Sequence, residues 1–344
     1  MGDSFPIRYR GKKRFIIQCR IRESRDWTAP RCAVGSQSQV MRHAVLIYNP
    51  LSGRQRARRP VELDIARRIL LEAGIAAETM PTRGRGSATH LARQAIAGGC
   101  ELVICCGGDG TINEVVNGMA GSAVPLAVLP AGTANILAKE LGIPWTIPGA
   151  ARLLPRCRPR RIALGRMERP ADKTARFFVC VGGAGPDGVL VYSLDEELKT
   201  HTGQGAYWWE GFRQMFRYRF PLFRVAAPEL AGAQTASMVI VGRTAHYGGP
   251  FQITTGADLF EDCFEVVLVQ TRSRLRYLSY LPSIVLHRLR RRSGVHFFKT
   301  RSLHCEPLGE ATVYTQLDGE ATGRLPCVFT IVPDALTLMV PEQL

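Results

Sequence analysis

The sequence predicts an α/β protein: an N-terminal three-layer domain built on a parallel sheet, then a C-terminal antiparallel β-sandwich domain, with the active site in the cleft between them. Three observations carry that expectation. Between residues 43 and 141 short apolar runs alternate with stretches of helical period, the rhythm of a parallel sheet covered by helices. Beyond about residue 160 short strand-like runs and turn residues dominate. The 344 residues, 46% hydrophobic and 22% charged, suffice for one large core or two moderate ones and argue against a disordered chain. The expected divisions are a basic, disordered extension over 1–40, an α/β domain over 41–160 and a β-rich domain over 161–344.

A strand over 43–48 opens the first domain. A basic turn, Arg54 to Arg59, leads into a helix from about Val61, with Ile65, Ile69 and Leu70 at helical spacing, and Gly74 stops it. Ser87 is the expected N-cap of a second helix, which runs through Leu91, Ala92, Ala95 and Ile96 to Gly98-Gly99. A buried strand covers 101–106, and its glycine-rich exit opens a helix through Val115 and Val116. The pattern repeats with a strand over 125–129, a turn at Pro130-Ala131-Gly132-Thr133 and a helix over 134–141. In the second domain strands are expected at 161–167, 177–181, 238–243, 251–255, 264–271, 295–304, 311–317, 327–332 and 335–340, with helices at 189–198 and 207–218.

The formal charge of +16 is local. Residues 1–40 carry nine Lys/Arg against three acids, and residues 272–301 carry nine Lys/Arg and no acid, which leaves +1 for the remainder. A fold that binds nucleic acid over its whole surface would spread its cations, so no nucleic-acid partner is expected. The first basic stretch ends at Met41, directly before the first clean strand. Met41 as the biological start is one reading, and a basic tail touching anionic lipid or nucleic acid, or a targeting peptide, are the others. In the second stretch Pro282-Ser283 is expected to start a helix with apolar Ile284, Val285, Leu286 and Leu289, followed by Arg288 and Arg290 to Arg292. A short basic amphipathic helix suits an anionic membrane surface, and a solvated face with arginines at a helix C-terminus is the plain alternative. No apolar run approaches the roughly 20 residues of a membrane span. The ten cysteines show neither C-x-x-C nor zinc-ligand spacing and read as reduced, mostly buried side chains.

The chemistry concentrates at the strand exits. Gly107, Gly108 and Gly110 let the backbone approach a phosphate chain, and the following helix offers free N–H groups and its positive dipole end. Asp109 among those amides makes sense if it holds a magnesium ion or receives a proton beside a nucleotide. Asn49-Pro50-Leu51-Ser52-Gly53, Thr82 with Gly86, and Gly132-Thr133 with Asn135 repeat the small, polar signature at three further exits, so the four would line one groove.

The string Gly107-Gly108-Asp109-Gly110-Thr111-Ile112-Asn113-Glu114, with Asn49-Pro50-Leu51-Ser52-Gly53 before it and Pro130-Ala131-Gly132-Thr133-Ala134-Asn135 after it, resembles the diacylglycerol kinase catalytic-domain family, which includes bacterial diacylglycerol kinase-like enzymes, sphingosine kinases and ceramide kinases. The similarity continues through Gly185-Pro186-Asp187-Gly188, Lys199 with Gly203 and Tyr207, and Leu317-Asp318-Gly319-Glu320, over roughly residues 43 to 341. The first element alone is shared with NAD kinases and phosphofructokinases. The resemblance implies a fold of the NAD kinase and diacylglycerol kinase type, ATP with Mg2+ as phosphoryl donor and a lipid hydroxyl as acceptor. It puts Asn49, Pro50, Ser52, Gly53, Thr82, Gly107 to Thr111, Asn113, Glu114, Gly132, Thr133 and Asn135 around ATP. Asp318 and Glu320 face the γ-phosphate, Glu320 as the expected proton acceptor and Asp318 aiding metal or substrate, although Asp318-Gly319 also reads as a hairpin turn. The family's second, acidic metal loop is altered here to Ala257-Asp258-Leu259-Phe260-Glu261-Asp262-Cys263-Phe264-Glu265, leaving Glu261, Asp262 and Glu265 as candidate ligands, and Pro186 replaces the usual phenylalanine. The expected protein is a cytoplasmic, peripherally membrane-associated lipid kinase, compatible with a homodimer. Alternatives are an NAD-kinase-like enzyme of a soluble acceptor and a catalytically weak nucleotide or lipid sensor. Trp208 and Trp209, with Tyr207, Phe212, Met215 and Phe216, could line an acyl pocket or simply pack the core.

Overall fold

The computed structural model describes residues 43–53, 56–186, 188, 220–248 and 251–342. The extension over 1–40, Asp187, Lys199, Gly203 and the helices expected at 189–198 and 207–218, with their tryptophans, lie outside the described residues.

The chain alternates as the sequence predicts: β1 (Ala44–Tyr48), α1 (Arg59–Glu72), β2 (Ala77–Pro81), α2 (Ser87–Ala97), β3 (Leu102–Gly107), α3 (Asp109–Met119), β4 (Pro125–Pro130), α4 (Ile136–Glu140) and α5 (Ile147–Leu153). The four strands pair in parallel in the order β2-β1-β3-β4. The chain runs one way from β1 to β2 and the other way to β3 and β4, so right-handed crossovers assign α1 to one face and α2 and α3 to the other. Packing agrees, with α1 against α5 and α2 against α3. All residues of β3 are buried, as expected of a strand covered on both faces. On α1 the inward stripe is Leu63, Ala66 and Leu70, while Ile65 faces solvent.

The second half supplies β5 (Cys157–Arg169), β6 (Thr174–Phe178), β7 (Val181–Ala184), β8 (Phe223–Ala226), β9 (Gln234–Ala236), β10 (Met238–Gly242), the two-residue pair β11 (His246–Tyr247) and β12 (Phe251–Gln252), β13 (Phe264–Val269), α6 (Arg274–Val285), β14 (Val295–Thr300), β15 (Ser302–Pro307), β16 (Tyr314–Leu317), β17 (Glu320–Arg324) and β18 (Cys327–Pro341). An antiparallel sheet runs β14-β13-β10-β7-β16-β17. The other layer continues the parallel sheet: β18 pairs in parallel with β4 and antiparallel with β5 and β15, and β8 and β9 follow. Phe178 of β6 stacks on Phe264 of β13 with ring centres 5.7 Å apart and meets Phe329 of β18 edge-on, which fills the space between the two layers.

Several expectations change, among them the single strand expected at 177–181, which is the end of β6 and the start of β7. The strands expected at 327–332 and 335–340 are one strand, because Pro333-Asp334 is absorbed as a bulge with Asp334 at positive φ. The strand expected at 295–304 is two, since the Thr300 hydroxyl donates to Ser302 O and turns the chain from one sheet to the other. The basic helix expected to begin at Pro282 ends there instead. Ser273 caps α6 by accepting from Arg276 N–H, Pro282 sits in its last turn, and His287, at φ 51°, reverses the chain. Seven of the eight described cysteines are buried, Cys263 is half-buried, and all are free. Among the described residues no helix is long and apolar enough to cross a membrane.

Candidate functional site

Strand order reverses between β1 and β3, and in an open α/β sheet the loops beyond such a pair part to leave a crevice. The loops at that edge are 49–53 after β1, 107–111 at the start of α3 and 130–135 after β4.

Close backbone approach and a single arginine draw them together. Asn49 N–H donates to Cys106 O at 3.0 Å, and its Nδ2 to Thr111 Oγ1 at 3.3 Å. A Cβ on Gly132 would fall 2.5 Å from Gly108 Cα, so the loops touch only because both residues are glycine. Asn135 closes the second loop on itself, accepting Gly132 N–H at 2.8 Å and donating to Gly132 O at 3.0 Å. Arg59, 4% exposed, donates through Nη2 to Ser52 O at 2.7 Å and Ala131 O at 3.1 Å. Gly53 abuts the same Ala131 carbonyl, and Pro50 and Thr133 stand at the rim. A cavity of about 410 Å³ opens beside the loops, lined by Arg59, Gly132, Thr133, Trp145 and Ile147 among others.

The carboxylates divide by what already binds them. Asp109 accepts from Asn135 N–H at 2.9 Å and Ile136 N–H at 2.7 Å, tying the β3–α3 turn to the start of α4 and keeping one further lone pair on each oxygen. Burial raises its carboxyl above the ordinary value against the pull of the Ile136 N–H, and the charge of Asp318 adds to the rise. Glu114 points away from the groove: it accepts Gly86 N–H at 2.7 Å and Ala88 N–H at 3.0 Å, and so caps α2. Ser87 therefore does not perform the capping expected of it, and its hydroxyl binds Gly84 O and Arg83 N–H in the preceding turn. Thr82 is fixed by its N–H on Tyr48 O at 2.9 Å.

Asp318-Gly319 is the two-residue turn of the β16–β17 hairpin, with φ of 47° and 80°, as a type I′ turn requires. The Asp318 side chain is nevertheless far from idle. It is buried and accepts four hydrogen bonds: Cys180 N–H and Val181 N–H on Oδ1, and Val179 N–H and Asn113 Nδ2 on Oδ2, all at 2.8 to 2.9 Å. Four donors saturate a carboxylate, which leaves no lone pair for metal or substrate. Burial raises its pKa, and the Val179 N–H opposes that most. Asn113, fully buried, belongs to the same joint, since its Oδ1 accepts from Arg176 at 2.6 Å and its Nδ2 also reaches Phe177 O at 3.0 Å.

Glu320 reaches back over α3. Its Oε1 lies 2.5 Å from where a Gly110 Cβ would be, so the carboxylate rests on the first turn of that helix. Oε2 pairs with Arg176, with Arg85 Nη2 3.9 Å away. Glu320 thus meets the Asp109-Gly110 turn at Gly110, while Asn113 and Asp318 form a joint behind it and Glu114 caps α2. Arg59 and Arg176 escaped sequence reasoning. Arg176 is a lone cation in the apolar strand β6, and the fold alone reveals what it faces.

Glu261, Asp262 and Glu265 do not form the second metal site. Glu261 pairs with Lys299, and Glu265 is buried against Arg290 and accepts Gly256 N–H at 2.7 Å. Asp262 is exposed, whereas Glu265 is buried. Among the described residues no cluster of three His, Cys, Asp or Glu could hold a metal ion.

Two family descriptions match consecutive parts of the chain: the diacylglycerol kinase catalytic domain over residues 43–167 and the YegS C-terminal NAD kinase beta sandwich-like domain over 183–340. The chain is 27% identical over 306 residues to a diacylglycerol kinase of Bacillus subtilis, covering 88% of this chain and 98% of that one. It is 29% identical over 317 residues to a diacylglycerol kinase of Mycobacterium tuberculosis, covering 90% and 99%. A crystal structure of a diacylglycerol kinase from Bacillus anthracis superposes with a TM-score of 0.66 over 88% of this chain and 98% of that one, at 20% identity, and shows the shared fold. With a glycine-rich turn, a carboxylate overhanging it and both domain descriptions matched in order, the chain belongs to the diacylglycerol kinase catalytic-domain family of lipid kinases.

Proposed function

We propose that the protein transfers the γ-phosphate of ATP to the hydroxyl of a lipid, diacylglycerol or a relative, at the cytoplasmic face of a membrane. The observation that carries this reading is Glu320 lying on the first turn of α3. A helix N-terminus and the Gly108 and Gly132 loops suit a phosphate chain, and a carboxylate beside them can accept the proton of an attacking hydroxyl. Asp318 cannot share that task, because its four acceptor positions are filled. Phosphoryl transfer asks the protein mainly to align donor and acceptor and to neutralise charge. Arg176 and Arg85 bring positive charge to the same spot, and magnesium arriving with ATP would add charge neutralisation there, with Asp109 and Glu320 the carboxylates at hand.

The outward face of α6 is the proposed membrane contact. Tyr277, Tyr280 and Ser283 pack inward, whereas Leu275, Leu281, Val285 and Leu286 are exposed among Arg272, Arg274, Arg288 and Arg291. Apolar side chains among arginines, in a stretch over 272–301 that holds no acid, fit an anionic lipid surface.

The test is transfer of labelled γ-phosphate from ATP and magnesium into a panel of lipids in mixed micelles, for the wild type and Glu320→Gln. A labelled lipid that the substitution abolishes is the expected result. ATP binding with no labelled lipid would favour a soluble acceptor or a sensor.

A further inference from the structure

We infer that the loop over residues 257–265 carries its own cation, the Arg243 guanidinium, and binds no divalent metal. Arg243 follows the end of β10 and is fully buried, the largest of the completely covered side chains. No carboxylate pairs with it among the described residues. Its guanidinium is instead surrounded by main-chain carbonyls: Nη2 donates to Leu259 O at 2.5 Å and Ala163 O at 3.0 Å, and Nη1 to Cys263 O at 3.0 Å and to Glu261 O. Three of the four acceptors belong to the acidic loop. Backbone carbonyls are ordinary ligands of hard cations, and a loop that turns alternate carbonyls inward is built around positive charge. Here that charge is covalent.

The loop's acids are arranged to match. Glu261 is drawn to Lys299 and Glu265 to Arg290. Asp258 accepts Phe260 N–H at 2.8 Å within the loop's own turn. None of these carboxylates converges with the inward carbonyls, so a divalent ion would have to displace a buried guanidinium without carboxylate help. Removing that guanidinium would leave several buried carbonyls unsatisfied, a costly state.

The main chain of Arg243 is also tied to the hairpin bearing Glu320. Arg243 N–H donates to Cys180 O at 2.8 Å, and Cys180 N–H donates to Asp318 Oδ1 at 2.9 Å. Anchoring the loop and anchoring the turn are thus consecutive links on one short stretch of backbone.

The experiment uses the full chain without nucleotide. The protein is stripped with EDTA and titrated with Mn2+, with bound ion read by electron paramagnetic resonance and the melting temperature read in parallel. Wild type is expected to show no bound Mn2+ that Glu261→Gln or Asp262→Asn removes, and a melting temperature indifferent to EDTA. A stoichiometric Mn2+ lost in either variant would overturn the inference, whether or not any Arg243 variant folds. In Arg243→Ala, guanidinium chloride at low millimolar concentration should raise the melting temperature where equimolar KCl does not. A folded Arg243→Ala that melts like wild type would also overturn it.

Discussion

Glu320 and Asp318 stand two residues apart in the chain, and their surroundings give them different work. Asp318 holds four donors, whereas Glu320 rests on α3 with only its Oε2 engaged, by Arg176. Glu320→Gln is expected to leave the melting temperature within a degree or two and to lower kcat by roughly 10²-fold or more, the usual worth of a proton acceptor. Asp318→Asn should do the reverse first. An amide cannot accept from four donors, and each buried donor left unpaired costs about 1–3 kcal/mol, so thermal melting falls before kcat is separately affected. Gly110→Ala would push a methyl into the Glu320 carboxylate and should lower kcat with little change in the KM for ATP. Gly132→Ala, which forces the Gly108 loop away, should instead raise that KM. Asp109 gives a pH test. Its folded pKa is raised, so the stability it contributes is whole below the unfolded carboxyl value of about 4 and is lost as pH rises through the folded value. Denaturation midpoints should therefore show the wild type losing ground to Asp109→Asn as pH rises above about 4. A gap independent of pH would contradict the shift.

At the scale of the element, α6 and α2 show how a sequence can be legible in kind and misread in place. The charge of 272–301 is plain in the sequence, but the helix lies a turn and more N-terminal to the expected one. Pro282 reads as a helix start, yet it lies inside the helix, where its missing N–H is a loss that the packing of Tyr277 and Tyr280 offsets. The result turns Leu281 and Val285 outward, which periodicity alone would have turned in. If that face meets lipid, Leu281→Asp with Val285→Asp should reduce sedimentation with anionic vesicles at least tenfold. Arg288→Gln should weaken it by about fivefold, near 1 kcal/mol per basic residue. Binding unaffected by either change would remove α6 as the contact. On α2, the cap comes from Glu114, a residue of a different helix, and no local motif announces such a partner. Glu114→Ala should cost about 1 kcal/mol through loss of that cap, visible in chemical denaturation.

For the whole molecule, the alternation of strands and helices and the glycines at strand exits made the fold class and the groove readable, because both follow from local periodicity and local backbone freedom. What stayed hidden depends on contacts between distant segments: Arg176 on Glu320, Arg59 across two loops, and the filling of Asp318's acceptors. The same holds for β18. Pro333-Asp334 ended one expected strand and began another, yet the chain runs through as a bulge and joins the parallel strand β4 to the antiparallel strands β5 and β15 of the same sheet. A truncation ending at residue 326 is expected to give no cooperative melting transition, since β4, β5 and β15 would each lose a strand neighbour.

That strand also sets an order of events during synthesis. A ribosome makes the glycine-lined groove first, but the sheet beneath it stays open along β4 until residues 327–341 have left the exit tunnel. Early chains must therefore wait, exposed to chaperones and proteases, and a premature stop anywhere before residue 327 should yield material for degradation instead of a stable first domain.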